Sequence, residues 1–337
     1  MKHILFGGDG FVGRQLAKRL SEASEEVIVA DIVDDHRSVY PDATFLDCDV
    51  TDPAAIDRVP MAAGDMVYNL SAKMLSPIQI RAKRHDFFYP VNYDGTKNII
   101  EAMDKAGAAK LVHYTTDMVY GHTVMFPMTE DHPVGPLGEY GQSKLDTEIL
   151  AEEWRPRGMD ITLLRPRLII GPGRLGILSK LFKLIDMNLP VPMIGSGKNP
   201  YQFVSVFDCA EAAYLAYKAG VPNEAYNLGS LNPPPVRKLL GDLVRHAGSK
   251  SILVPTWGFA VKRTLDLLDA VNLPLMDPEQ YLIADEMCVL DVSKAERELG
   301  WVPAYRDEDM LIAAYDEYRA AGAADVSAGP CSIKTVQ

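Results

Sequence analysis

Residues Lys2–Asp31, KHILFGGDGFVGRQLAKRLSEASEEVIVAD, constrain this chain more than any other stretch. An apolar run, His3–Phe6, enters a cluster of glycines. A helical pattern follows, with Leu16, Ala17, Leu20 and Ala23 on one face, and a second apolar run, Val27–Ala30, ends in Asp31. Strand, glycine turn, helix, strand and acid come in the order that a dinucleotide site requires. Gly7 is placed to take the tight turn, and Gly10 leaves room for a pyrophosphate to approach the backbone. Gly13 lets the helix pack close, so that its N-terminal amides and dipole face the phosphates. The Asp31 carboxylate suits ribose hydroxyls and repels a 2′-phosphate, and no Lys or Arg follows before Arg37. These residues predict NAD rather than NADP as cofactor.

Beyond this unit, apolar runs alternate with helical patterns. Strands are expected at His3–Phe6, Val27–Ala30, Thr44–Leu46, Met66–Leu70, Lys110–Thr115 and Asp160–Arg165, and helices near Gly13–Ala23, Pro53–Val59, Asn92–Ala106 and Tyr140–Arg155. The runs lack strict alternation, as strands covered on both faces do. The pattern predicts an α/β fold: a doubly wound parallel Rossmann sheet with right-handed crossovers and a smaller C-terminal substrate lobe. From Gly171 the rhythm breaks into glycine- and proline-rich loops. Phe203–Phe207 and Ala225–Leu228 read as strands returning to the first sheet, and Val236–Ala247 and Ala260–Val271 as helices. Residues 1–170, with returning segments at about 201–230, are expected to form the dinucleotide-binding domain, 171–320 the substrate lobe, and 321–337 a disordered tail.

Composition removes other classes. A length of 337 residues is ample for a buried core, and a formal net charge of −12 argues against nucleic acid and anionic membrane surfaces as partners. Cys48, Cys209, Cys288 and Cys331 show neither zinc nor disulfide spacing, so no metal is expected and the thiols read as buried and reduced. No apolar run is long enough to span a membrane, and a strand beginning at residue 2 leaves no signal peptide ahead of it. The expected location is cytoplasmic.

The chemistry is read from a Tyr and a Lys. A free phenol, with pKa about 10, is too weak a base near neutrality, and a Lys one helical turn away favours its ionised form. Y-x-x-x-K occurs at Tyr93–Lys97, Tyr140–Lys144 and Tyr214–Lys218. Position decides among them. Tyr140–Lys144 opens the helix that follows the strand ending in Tyr114-Thr115-Thr116, and ligands bind at strand C-terminal ends in such sheets. Tyr140 is therefore the proton-exchanging group, Thr116 a partner for the same substrate oxygen, and Lys144 the group that lowers the Tyr pKa. The other two pairs read as surface or packing contacts.

Several ordered motifs resemble the extended short-chain dehydrogenase/reductases, the NAD-dependent epimerase/dehydratase superfamily. Gly7, Gly10 and Gly13 fit their G-x-x-G-x-x-G, and the resemblance implies cofactor contacts by Phe11 and Val12 in the same loop. DCDVTD implies Asp49 and Val50 at the adenine, NLSAK implies Leu70, Ser71 and Ala72 along the cofactor, and LLRPRLIIGPG implies Pro166 beside the nicotinamide. TTDMVYG and YGQSK resemble the family's hydroxyl-bearing strand end and active-site helix, again Thr116, Tyr140 and Lys144, with Tyr140 and Lys144 also touching cofactor. The resemblance runs from residue 1 to about 318. It further implies a homodimer pairing helices Asn92–Ala106 and Tyr140–Arg155, with Ile99, Ile100 and Met103 as apolar contacts.

Departures from the family pattern bear on the substrate. Asp117-Met118 stands where dehydratases carry Asp-Glu, which argues against elimination. Leu168 and Tyr201 stand where nucleotide-sugar enzymes place Asn and Arg on the diphosphate, and neither side chain replaces those groups. The layout looks more like the 3β-hydroxysteroid-dehydrogenase-like branch. Lys73, Asp117, Met118, Leu168, Tyr201 and Arg84 are the candidate substrate residues, Arg84 because Arg81, Lys83, Arg84 and His85 form a basic cluster in a loop expected to border the cleft. That cluster also reads as a solvated helix face. The expected activity is NAD-dependent interconversion of a secondary alcohol and a ketone on a largely apolar steroid-, lipid- or flavonoid-like small molecule. The alternatives are a nucleotide-sugar 4-epimerase with tightly bound NAD and a non-catalytic NAD-binding subunit.

Overall fold

The computed structural model describes residues 1–174, 176 and 178–327, with side chains to residue 321. In chain order, β1 (Lys2–Phe6), α1 (Phe11–Glu22), β2 (Glu26–Asp31), β3 (Thr44–Asp47), α2 (Pro53–Ile56) and β4 (Met66–Asn69) come first. Then come α3 (Arg84–Tyr89), α4 (Gly95–Ala106), β5 (Lys110–Tyr114), α5 (Glu139–Trp154) and β6 (Asp160–Pro166). After β7 (Leu168–Ile170), α6 (Leu178–Asp186), β8 (Val191–Ile194), β9 (Phe203–Ser205) and α7 (Val206–Lys218), the chain returns as β10 (Ala225–Leu228). It ends through α8 (Val236–His246), β11 (Leu253–Thr256), α9 (Gly258–Ala270), α10 (Pro278–Tyr281), α11 (Ser293–Leu299) and α12 (Asp307–Ser327).

Seven strands form one sheet in the order β10-β6-β5-β4-β1-β2-β3, with every neighbouring pair parallel. The chain winds outward from β1 to β3, crosses back to β4 and winds the other way. The strand order reverses between β1 and β4, which is where such sheets bind ligands. Each face is sealed by helices. Leu16, Ala17 and Leu20 of α1 meet Ala212, Ala213 and Ala216 of α7 on one side. Ile56 of α2, Ile99 and Met103 of α4 and Leu150 of α5 seal the other. Complete burial of one such Leu or Ile is worth about 1.5–3 kcal/mol. A third core, including Phe182, Phe203, Leu243 and Tyr315, holds α6, α8 and α12 together.

Four expectations are corrected. Phe203–Phe207 does not return to the main sheet. It pairs with β7 as β9, and Ser205 caps α7 by accepting the Phe207 amide, so Val206 and Phe207 begin a helix. The basic loop at 81–85 is helical: a short turn, Arg81–Lys83, runs into α3. Ile99, Ile100 and Met103 are 0, 1 and 0% exposed, buried under their own sheet and closed to a partner subunit. The last helix continues to Ser327, into the segment expected as a tail, and Cys331 lies outside the described residues. Cys48, Cys209 and Cys288 are buried with free thiols. Among the described residues no helix is long and apolar enough to cross a membrane, and no cluster has the makings of a metal site.

Candidate active site

The glycine turn ends β1. Gly7 has φ +75°, a conformation open to glycine, and donates its amide to Ala30 O at 2.9 Å. A Cβ at Gly13 would fall 2.4 Å from Gly7 O, so glycine there is what lets α1 close onto the turn. The first turn of α1 carries no acidic side chain, and Gly10 ahead of it offers none to cap it. Its amides are thus available to an anion. Asp31 ends β2, accepting the amides of Asp9 (2.9 Å) and Ile32 (2.7 Å), while burial raises its carboxyl pKa. Arg37, the first cation after it, is tied to Asp34 (3.5 Å) and donates to Ala43 O (2.7 Å). This turn, with no cation turned toward it from Arg37, fits a dinucleotide that lacks a 2′-phosphate.

One cavity runs from the turn to the end of β5. Gly7, Gly10, Phe11, Val12 and Gly13 line one end, with Leu70 and Ala72 beside them. Thr116, Tyr140, Lys144 and Pro166 line the other, with Asp117, Met118 and Leu168. Ser71 sits behind Gly7, its amide accepted by Asn69 at 3.0 Å. Asp49 and Val50 lie outside this lining: Asp49 accepts from Thr51, and Val50 is buried against Gly95.

The three predicted catalytic side chains meet here. Lys144 Nζ donates to Tyr114 O at 3.0 Å, and burial lowers its pKa to about 8. The Tyr140 hydroxyl donates to Met74 Sδ at 3.4 Å. Burial, then the charge of Glu279, raises the phenol's pKa, while the neighbouring Thr116 hydroxyl works against the rise. Thr116 Oγ accepts the Met118 amide at 3.2 Å and lies 3.3 Å from Asp117 Oδ1. Tyr93 packs under α4's side of the sheet, and Tyr214 lies beneath Arg19 at 3.8 Å, so both decoy pairs are packing contacts.

The candidate substrate residues divide. Asp117 is ion-paired with Arg167, whose guanidinium lies 5.3 Å from the Tyr201 ring. Lys73 is exposed and leans toward Phe87, off the cavity lining. Arg84 is absent from the lining of this cavity and is not a solvated charge. It is buried, binding Asp269 with both terminal nitrogens and approaching Asp277 at 3.4 Å, which ties α3 to α9 and α10.

Other contributors carry no local signal. Glu279 caps α5, accepting the amides of Tyr140 and Gly141, and a Cβ at Gly141 would lie 2.8 Å from its Oε2. Glu148 holds Arg165 through both carboxylate oxygens (2.9 and 2.6 Å) and accepts the Thr115 hydroxyl (2.7 Å), bracing the β5 end. Asn92 Nδ2 reaches Ser143 Oγ (3.0 Å), and its Oδ1 accepts the Lys73 amide (2.8 Å). Met74, Leu75, Arg167 and Arg174 also line the cavity.

The chain is similar to known proteins over most of its length. The protein y4nG of Sinorhizobium fredii is 32% identical over 321 residues, 94% of this chain and 78% of that one. The 2-alkyl-3-oxoalkanoate reductase of Stenotrophomonas maltophilia is 27% identical, covering 92% of this chain and 97% of its own. The UDP-glucose 4-epimerase of Lactobacillus helveticus is 25% identical, covering 93% and 95%. The structure of the Thermotoga maritima UDP-glucose 4-epimerase superimposes with a TM-score of 0.76 at 23% identity, over 95% of this chain and 99% of that one. None of these relatives is a hydroxysteroid dehydrogenase by name. Residues 4–229 match the NAD dependent epimerase/dehydratase family, whose cofactor the glycine turn and Asp31 fit, and the chain belongs to that family.

Proposed function

We propose that the protein interconverts a secondary alcohol and a ketone with NAD, using Tyr140, Thr116 and Lys144. One observation carries this reading: the three side chains line the same cavity as the glycine turn. NAD, held by the α1 amides and Asp31, supplies hydride acceptance from the carbinol carbon and its return. The residues supply the proton chemistry. Tyr140 is protonated at rest, its pKa raised by burial, so it is ready to donate to a ketone oxygen. In the oxidative direction its proton must leave, and the positive charge of Lys144 one turn on stabilises the phenolate. The Tyr114 carbonyl holds Lys144 in place and leaves further N–H donors for the cofactor ribose. The hydroxyl now donating to Met74 Sδ turns to the substrate oxygen, with the Thr116 hydroxyl beside it.

Two completions of the cycle are supported by different observations. Relatives with 4-epimerase in their names support sugar epimerisation, in which the same residues take the proton off and put it back while NAD stays bound. The apolar side chains of Met74, Leu75, Met118 and Leu168 on the cavity wall support an apolar substrate released as ketone or alcohol, the chemistry of the oxoalkanoate reductase. UDP-sugars and 3-hydroxyalkanoates assayed side by side decide. Epimerised sugar without added coenzyme establishes the first, and stoichiometric NADH from the hydroxy acid the second. Absence of both activities, with NAD bound and the protein folded, overturns the proposal.

A further inference from the structure

We infer that Arg167 is the docking point for a carboxylate carried by the substrate. Arg167 stands in the cavity wall beside Asp117 and Thr116 and is 3% exposed. Its Nη1 donates to Asp117. Its Nε is buried without a hydrogen-bond partner, and Nη2 makes no hydrogen bond to any described residue. Buried guanidinium donors are normally all matched, because an unmatched donor keeps the full penalty of leaving water. Here one whole edge of the fork is left over, and it belongs to a residue that lines the cavity.

The chemistry of that edge narrows the ligand. Nε and Nη2 present two parallel N–H bonds at the spacing of the two oxygens of a carboxylate. Asp117 holds the opposite edge, and the Tyr201 ring at 5.3 Å flanks the guanidinium, so the fork is fixed before a ligand arrives. The charges lining the cavity favour an anion as well: Lys144, Arg167 and Arg174 against Asp117. Apolar side chains, including Met74, Met118 and Leu168, make up much of the remaining wall. The substrate thus has an acid group near the carbinol carbon, whether on an apolar chain or on a sugar. This rests on the reading that the cavity is the substrate site, and it adds the group that orients the substrate there.

The test is calorimetric titration of the NAD-loaded protein with two matched pairs: 3-hydroxydecanoate against 3-hydroxydecanamide, and UDP-glucuronate against UDP-glucose. The carboxylate member of one pair is expected to bind tighter by about tenfold or more, as a charge-assisted bidentate contact does. Which pair shows it tells whether the acid sits on a chain or on a sugar. Arg167→Lys keeps the charge beside Asp117 and removes the fork, and most of the preference should go. The double variant Asp117→Asn/Arg167→Gln leaves no lone buried charge, and its preference should vanish while its melting temperature and NAD affinity stay near those of the parent. Equal affinities within both pairs, no carboxylate binding at millimolar concentration, or a preference that survives both variants overturns the inference. Binding is read without turnover, so this outcome is separate from loss of the alcohol–ketone activity, which is judged by assay.

Discussion

Glu279 reaches from the N-terminal turn of α10 to accept the backbone amide of Tyr140 at 2.9 Å, and with it the amide of Gly141. The helix that carries the Tyr140 phenol is thereby capped by a residue 139 positions further along the chain. Position and proton chemistry of Tyr140 are joined in this contact, because the same carboxylate also raises the phenol's pKa. The C-terminal part of the chain therefore helps to build the candidate active site.

Burial of that capping carboxyl gives a contribution to stability that falls as pH rises. Burial, then the charge of Asp277, raises the Glu279 carboxyl from 4.5 to about 8, with Arg84 and the two amides opposing. The unfolded chain has an ordinary carboxylate. Between these two values the folded protein binds more protons, so its stability is full below the lower one and is lost through the upper one. Asp208 and Asp307, raised to about 6 and about 7, act in the same direction. Glu279→Gln removes one such group, so melting temperature should fall less steeply over this range than in the parent. Identical slopes would remove Glu279 from the account.

Tyr140→Phe should lower turnover by about 10²–10⁴-fold, the usual worth of a positioned general acid–base. NAD affinity, followed by fluorescence titration, should change little, since the lost hydroxyl bonds Met74 and in the proposed reaction acts on the substrate oxygen. Tyr93→Phe and Tyr214→Phe leave rings in place and should turn over near the parental rate. A decoy variant as damaged as Tyr140→Phe, yet folded, would move the site.

NAD should bind better than NADP. Asp31 holds its carboxylate at the end of β2 with the amides of Asp9 and Ile32, and Arg37 is tied to Asp34. Asp31→Ala removes the repulsion of a 2′-phosphate and should narrow the gap between the coenzymes. Equal binding of both by the parent protein would contradict the reading of this loop.

What could be read from the sequence was what is written locally. The strands of the main sheet stand out because apolar runs such as Ile4–Phe6 and Val27–Ala30 are covered on both faces, and the glycine turn because only its spacing lets α1 close. Thr116, Tyr140 and Lys144 could be brought together because strand ends and helix starts share one side of a parallel sheet. What was missed depends on partners far away in the chain. β9 finds its partner in β7, not the main sheet, and Ser205, a recognisable cap, divides its apolar run from a helix. Ile99, Ile100 and Met103 have the same apolar pattern whether they face a partner or the sheet beneath them. Glu279, Arg167 and Arg84 show nothing in their sequence neighbours that tells a helix cap from a residue on a cavity wall or a buried tie.

Arg84 therefore carries a prediction opposite to that of a substrate anchor. Its guanidinium and the Asp269 and Asp277 carboxylates are all buried, and together they hold α3 to α9 and α10. α3 also brings Phe88 against Tyr140, ring centroids 5.6 Å apart, so the tie lies one contact from the candidate active site. Removing one partner of a buried ion pair leaves the other charged and unsolvated, which typically destabilises by about 3–5 kcal/mol. Arg84→Ala strands two carboxylates and should fall at the upper end of that range, read as a lower midpoint in urea unfolding. A surface charge lost from a helix would change the midpoint by a tenth of that or less, within about 0.5 kcal/mol. A substrate anchor would instead leave the midpoint alone and raise KM with kcat little changed. Arg84→Lys separates the cases further: it restores one charge without the fork, so stability should return in part. If the Arg84→Ala midpoint matches the parent while KM rises, the ion pair is incidental and the basic segment belongs to the substrate after all.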